Sequence, residues 1–367
     1  MLRIAIIPGD GIGVEVTREA VKLLRCIADT SGLRLDIVEW DLGAERYLRT
    51  GSAITAEEMA ELGSAYDAIF LGAIGDPRVP NNAHAREILL GLRFNLDLYI
   101  NLRPVRLYEA WLSPLRDVSP EDIDLVIFRE NTEGVYVGMG GNFRKGTADE
   151  VAIEEDINTR RGVERIIRAA FEFARARGRR RVTLTDKANA MPHAGGLWRR
   201  VFAEVGAEFA DVPREAVYAD ALALDLVRRP ARYDVIVAPN LFGDLLSDLA
   251  AALVGGLGLA PSASLHPGRP GLFEPVHGSA PDIAGTDHAN PLAALLTVAL
   301  MLEQLGHRQH ALRIEESVRR AIAERQTTPD VGGKLGTAAV GDWVCADVVQ
   351  ALSASTASGS RADGPGY

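Results

Sequence analysis

Two acidic residues near the middle of the chain, Asp244 and Asp248, stand four positions apart in the segment 239–251, PNLFGDLLSDLAA. On a helix, residues at i and i+4 share a face, so both carboxylates project to the same side. Like charges this close repel, and a cation held between them relieves the repulsion. Hard oxygen donors of this kind suit Mg²⁺ or Mn²⁺. The run DVIVA at 234–238 reads as a buried strand, and 240–243 as the turn into the helix. The pair therefore falls at the carboxyl end of a strand, where α/β proteins usually keep their active sites. Taken alone, such a pair is more often a solvated helix face. The apolar residues flanking it here weigh against that.

Three arginines want an acid. Arg93 lies in a helix-like segment, Arg103 in NLRP at 101–104, and Arg129 directly after the apolar stretch 124–128. A guanidinium after a buried strand is costly to bury without a partner anion, and its fork can grip a carboxylate in bidentate fashion. Singly, each reads as a structural ion-pair residue. Beside a metal-binding aspartate pair, they point to a small substrate with more than one carboxylate. Tyr136 in RENTEGVY (129–136) and Lys187 in TDKAN (185–189) add a phenol and an amine. Next to a cation both can exchange protons with substrate, because positive charge and burial lower a lysine's pKa. Without that context Tyr136 is a packed aromatic and Lys187 a surface lysine, and spacing alone does not bring them together.

The elements that must position these groups alternate along the chain. Strand-like runs at 3–7, 34–39, 68–71, 125–128, 181–185 and 234–238 are separated by amphipathic helices such as 14–29, 161–177 and 313–325. That order predicts a mostly parallel sheet clad in helices, and 367 residues exceed what one core comfortably holds. No apolar run is long enough to span a membrane, and the first residues read as a strand rather than a signal peptide. The two cysteines, Cys26 and Cys345, form no CxxC pair and read as reduced structural thiols, so a cytoplasmic location is expected. A net charge of −10 argues against nucleic acid as a partner. The arginine-rich stretch 175–181 reads as a solvated helix end. The glycines of GDGIG at 9–13 follow the first strand and open a helix, but the spacing lacks the third glycine of a dinucleotide fingerprint. The loop still permits close backbone approach to a ligand. The small-residue tail 353–367 is expected to be disordered.

Taken in order, GDGIG, the NLRP arginine, RENTEGVY, TDKAN, PNLFGDLLSD and EPVHGSAPDIAG (274–285) make the chain resemble the β-decarboxylating dehydrogenases. These include the isocitrate, isopropylmalate, homoisocitrate and tartrate or D-malate enzymes. The resemblance runs from about residue 3 to about 350, and its most specific pieces are the aspartate helix and the 274–285 loop. It implies an α/β isopropylmalate dehydrogenase-like fold of two domains, distinct from Rossmann. The first domain would comprise 1–98 and 256–352, and the second, 99–255, would form the dimer interface. At matching positions it implies that Asp244 and Asp248 hold the metal with Asp220 of a neighbouring subunit. Lys187 would come from that neighbour too, making a homodimer with shared sites the minimum unit, with a tetramer as a further option. Tyr136 matches the proton donor, and Arg93, Arg103 and Arg129 match the clamp on the malate carboxylates.

The same resemblance assigns His277, Gly278, Ser279, Ala280, Asp282, Ile283 and Asn290 to the cofactor. Asp282 matches the residue that hydrogen-bonds the ribose hydroxyls of NAD, and a carboxylate there repels the 2′-phosphate of NADP. Expected cofactors are therefore NAD and Mg²⁺ or Mn²⁺, with K⁺ as a further candidate. Isocitrate enzymes carry serine and asparagine where this chain has Glu87 and Leu89, an apolar and acidic surface that would reject a third carboxylate. Leu89 and Leu90 match the leucines that receive an isopropyl group, although they read equally as helix-core residues. RENTEG at 129–134 is closer to isocitrate, homoisocitrate and tartrate enzymes, 158–164 and 328–333 look like the tartrate/D-malate or homoisocitrate groups, and 138–147 resembles the arm of some isopropylmalate enzymes. The leading expectation is oxidative decarboxylation of a (2R,3S)-3-alkylmalate, 3-isopropylmalate first. Tartrate or D-malate comes next, then homoisocitrate. A non-catalytic subunit would be expected to lack some of the metal or proton-transfer residues, and a simple metal hydrolase leaves the 274–285 loop unexplained.

Overall fold

The computed structural model describes residues 1–359, which form two compact units. The first comprises Met1–Leu96, Gly255–Ala263 and the chain from Pro267 onward; the second comprises Asp97–Val254 and Ser264–His266.

In the first unit, the apolar strand Leu2–Gly9 is flanked in parallel by Leu35–Glu39 and Ala68–Ala73, and Gly271–Pro275 continues the parallel order beyond the latter. The Ile12–Ser31 helix starts directly after the glycine loop and buries Val16, Ala20, Leu23, Leu24 and Ile27, one apolar stripe at helical spacing. The Leu292–Gln304 helix is apolar almost all round, and buried accordingly. No helix among the described residues is long and apolar enough to cross a membrane. Cys26 and Cys345 are both free thiols; burial pushes the Cys345 thiol well up, with Cys26 beside it adding to the effect. The Thr337–Gly359 helix runs past Ser353, so the tail expected to lack order begins as helix; 360–367 lie outside the described residues.

In the second unit, Ile100–Arg106 pairs antiparallel with Asp124–Glu130, which runs parallel to Val235–Ala238, followed by Val182–Asp186 and Arg214–Tyr218. A separate hairpin, Gly140–Phe143 with Val151–Glu154, is exposed throughout. The arginine-rich segment is not merely solvated. Arg179 donates to the Asp124 and Asp234 carboxylates, the backbone of Arg180 bonds Asp234, and Arg175 pairs with Asp211. These bonds gather the amino-terminal ends of two neighbouring strands.

Candidate active site

The Asn240–Ala252 helix follows the β-branched strand Val235–Ala238 and divides into three faces. Gly243, Leu246, Ser247, Ala250 and Ala251 are buried against the unit. Leu241 and Leu245, again one turn apart, are exposed. Between these faces stand Asp244 and Asp248, with side-chain exposures of 29% and 52%. Gly243 lets the helix come close to the sheet: a Cβ there would lie 2.7 Å from the Cβ and Cγ of Arg129. Any larger residue would push Asp244 away from its arginine.

Around this helix the second unit assembles the predicted charges. Arg129, only 2% exposed, bonds Asp244 through Nη1 and donates from Nε to Asn240 Oδ1 at 2.9 Å. Arg103 Nη1 lies 3.3 Å from an oxygen of Asp244 and 3.3 Å from one of Asp248. Its orientation is fixed by Nε donating to Asn101 Oδ1 at 2.7 Å and Nη1 donating to Ser247 Oγ at 2.6 Å. The Tyr136 hydroxyl donates to Asp244 Oδ2 at 2.5 Å, and the Arg129 guanidinium lies over its ring. Burial, then the Asp244 bond, pushes the Tyr136 phenol above its usual range, so it stays protonated. Burial also raises the Asp248 carboxyl, opposed by Arg103 and reinforced by the nearby Asp244 charge.

Asn101, Asn240 and Ser247 went unnoticed in the sequence. Their signal was available: Asn101 is two positions from Arg103 on one face of a strand, and Ser247 sits beside the aspartates on the helix.

Lys187 and Asp220 form a separate pair, with Nζ donating to Oδ1 at 2.5 Å. That bond holds the Asp220 carboxyl below its usual range. Lys187 lines a cleft of the second unit with Asp186, Trp198, Pro239 and Phe242. No group of three or more acidic, imidazole or thiol side chains that could hold a metal occurs among the described residues. One chain therefore brings Asp244 and Asp248 to a common point, marked by the Arg103 nitrogen between them, and keeps Asp220 elsewhere. Two carboxylates converging on one positive atom are the donor type that suits a hard divalent cation.

Arg93 behaves differently from the other two arginines. It lies in the first unit, buried, with Nη2 donating to Glu274 Oε1 at 2.6 Å. The expected clamp residue is thus already matched by the first acid of the 274–285 loop. Leu89 and Leu90 are half-buried, while Ile88 and Leu92 occupy the core positions.

The 277–283 loop is shaped by backbone contacts. Ser279 O accepts from Ile12 N at 2.8 Å, and a Cβ on Gly11 would lie 2.0 Å from that same oxygen. Ala280 takes a positive φ of 37°. Gly278, Asp282 and Ile283 are left exposed, offering a carboxylate and an apolar surface together. Such a pair fits the ribose hydroxyls and ring of NAD and disfavours an added phosphate. His277 is largely buried, its Nδ1 bonded to Gly278 O at 3.0 Å, and burial lowers its pKa. Asn290 serves the fold: Oδ1 accepts from Leu292 N at the start of the 292–304 helix, and Nδ2 donates to Asp330.

These features can be set against known proteins. The isocitrate/isopropylmalate dehydrogenase family model matches residues 3–344. The 3-isopropylmalate dehydrogenase of Thermobifida fusca (strain YX) is 47% identical over 351 residues, spanning 95% of this chain and 98% of that one. That of Corynebacterium jeikeium (strain K411) is 49% identical over 350 residues, spanning 95% and 100%. Among solved structures, the isocitrate dehydrogenase of Methylococcus capsulatus superposes with a TM-score of 0.86 at 36% identity, covering 95% of this chain and 100% of that one. A β-decarboxylating dehydrogenase from Thermococcus kodakarensis gives 0.79 at 37%, covering 96% and 98%.

The chain belongs to the isocitrate/isopropylmalate dehydrogenase family. Within it, the protein is an NAD-dependent β-decarboxylating dehydrogenase most like the isopropylmalate-type members.

Proposed function

We propose that this enzyme oxidatively decarboxylates a (2R,3S)-3-alkylmalate, 3-isopropylmalate by preference, to the 2-oxo acid, as a homodimer with shared sites. The observation that carries this reading is the cluster of Arg103, Arg129, Tyr136, Asp244 and Asp248 in a single unit. Arg103 and Arg129 bind the malate carboxylates, exchanging their present aspartate partners for the substrate. Asp244 and Asp248 of one chain, with Asp220 of the second, hold the divalent cation. When bound, the cation and NAD supply the positive charge that stabilises an enolate oxygen and the acceptor for two electrons from C2. Lys187 takes the proton of the C2 hydroxyl. After the C3–carboxylate bond breaks and CO₂ leaves, the electron pair at C3 takes a proton from Tyr136.

Leu89 and Leu90 receive the alkyl group, and their partial exposure supports that role. Asp282 and the backbone of His277, Gly278, Ser279, Ala280 and Ile283 hold NAD beside Asn290. A dimer is supported by exposed apolar side chains of the second unit: Leu224, Val227, Leu241 and Leu245 on two helices, and Phe143, Val151 and Ile153 on the hairpin.

The test is NADH formation with Mn²⁺ or Mg²⁺ and K⁺ across 3-isopropylmalate, other 3-alkylmalates, D-malate, tartrate, homoisocitrate and isocitrate. Preference for isopropylmalate is the expected result. Turnover confined to D-malate or tartrate would replace the substrate assignment while leaving the chemistry in place.

A further inference from the structure

The helical run 83–95 of the first unit carries Leu89 and Leu90 between two buried polar pins. The later pin is Arg93 on Glu274. The earlier one involves two residues that none of the roles above uses. His84 is fully buried, and its Nε2 lies 2.8 Å from Asp10 Oδ2. Since a carboxylate only accepts, Nε2 carries the proton. The Asp10 carboxylate also gathers two backbone amides, Ala44 N on Oδ1 at 2.7 Å and Gly75 N on Oδ2 at 2.8 Å. It thereby joins three segments of the unit to the glycine loop.

At its start the Tyr47 ring lies 6.0 Å from the His84 ring, and Asn82 Oδ1, just before the run, accepts from Asp76 N at 3.2 Å. Asn81 and Asn82 precede it with φ of 54° and 49°, and no side chain caps its first turn. The helix then widens into a π turn over Arg86–Leu90, which leaves Leu89 and Leu90 half-exposed while Ile88 and Leu92 stay in the core. Wide turns of this kind are uncommon and collect at functional sites. The other imidazole nitrogen of His84, Nδ1, is buried without a partner. A leucine there would avoid that cost but would lose the Asp10 bond. Leu89 follows His84 by five residues in the same helical run, so the pin sits little more than a turn before the leucines.

We propose that the His84–Asp10 pair is a positioning device that sets where Leu89 and Leu90 stand, and through them the discrimination among C3 substituents. This inference rests on the role given above to those leucines.

The test compares His84→Leu, which removes the donor, with His84→Gln, which can keep it. Amide hydrogen exchange over 83–95 and the ratio of kcat/KM for 3-isopropylmalate to that for D-malate are measured, with Leu89→Ala alongside. H84L is expected to speed exchange within 83–95 and to lower the ratio about tenfold. The change should appear as a raised KM for isopropylmalate with unchanged kcat on D-malate, and H84Q should restore both readouts. Should H84L fail to fold, His84→Asn, too short to reach Asp10, takes its place. Wild-type exchange and ratio in H84L would overturn the proposal, as would equal loss of kcat on both substrates. If L89A moves the ratio and H84L does not, the pin alone is refuted. If L89A leaves it unmoved, the assignment of the leucines has failed as well.

Discussion

The two units solve the problem of holding charge in opposite ways. In the second, the ligand-facing groups hold one another: Asp244 accepts from Arg129 and Tyr136 and stands beside Arg103, which also reaches Asp248. In the first, the 277–283 loop is placed by backbone bonds and by glycines that admit close approach, and its chemistry-bearing Asp282 is exposed. A preformed charge cluster suits small dianions and a metal, whose binding energy lies in a few strong contacts. A backbone-built loop suits a large cofactor held by shape. The difference teaches where each unit is fragile: one at its side chains, the other at its main chain.

The largest effect should come from Asp244→Ala. Removing the carboxylate on which two arginines and the phenol converge should lower kcat about 10³-fold. It should also cost about 3 kcal/mol in denaturant unfolding, since Arg129 is buried against it. Wild-type stability would mean that the cluster does not hold itself together. The matching fracture in the first unit is Gly11→Ala. Gly11 has φ of 55°, and a Cβ would lie 2.0 Å from Ser279 O. A loss of about 3 kcal/mol is expected from strain and displacement together, with NAD affinity falling more than substrate affinity. By contrast, Asp282→Arg should leave stability unchanged and move the NADP/NAD preference about tenfold toward NADP, roughly 1.4 kcal/mol. Coenzyme kinetics read this out, and an unmoved preference would remove Asp282 from the cofactor site.

The smallest effect is in acid. Asp225, on the Ala219–Arg228 helix, is held below its ordinary value of 3.8 by hydrogen bonds from Arg229 and Tyr233. Its folded pKa is depressed, so its contribution is present above about 3.8 and lost as pH falls through the lower folded value. His277 is depressed too, by burial, from 6.5. Its contribution is present above about 6.5 and is lost through mild acid, well before that of Asp225. Asp225→Asn should therefore flatten the deep acid limb of a stability-against-pH curve, and His277→Gln the mild one.

How legible all this was depended on whether spacing or packing carries the function. The helix itself could be read directly, because a four-residue interval after a β-branched strand puts both carboxylates on one face. The strand Ile100–Arg106 was hidden, since its two arginines and proline interrupt the apolar pattern by which strands are recognised. Leu89 and Leu90 were ambiguous for a further reason. Four apolar residues within 88–92 satisfy any helix, and nothing in their spacing marks Ile88 and Leu92 as the two that are fully buried. The Arg93–Glu274 and His84–Asp10 pairs span 181 and 74 residues and leave no local trace.

The central claim is that each active site takes Tyr136, Asp244 and Asp248 from one chain, and Lys187 and Asp220 from another. It is tested most directly by purifying a hybrid dimer of one Tyr136→Phe chain and one Lys187→Ala chain, tagged differently, from parents that are each inactive. If sites are shared, one of the two in the hybrid combines an intact Tyr136 with an intact Lys187, and activity returns to about half that of wild type. A hybrid as inactive as its parents would contradict the account, placing both residues of each site on the same chain.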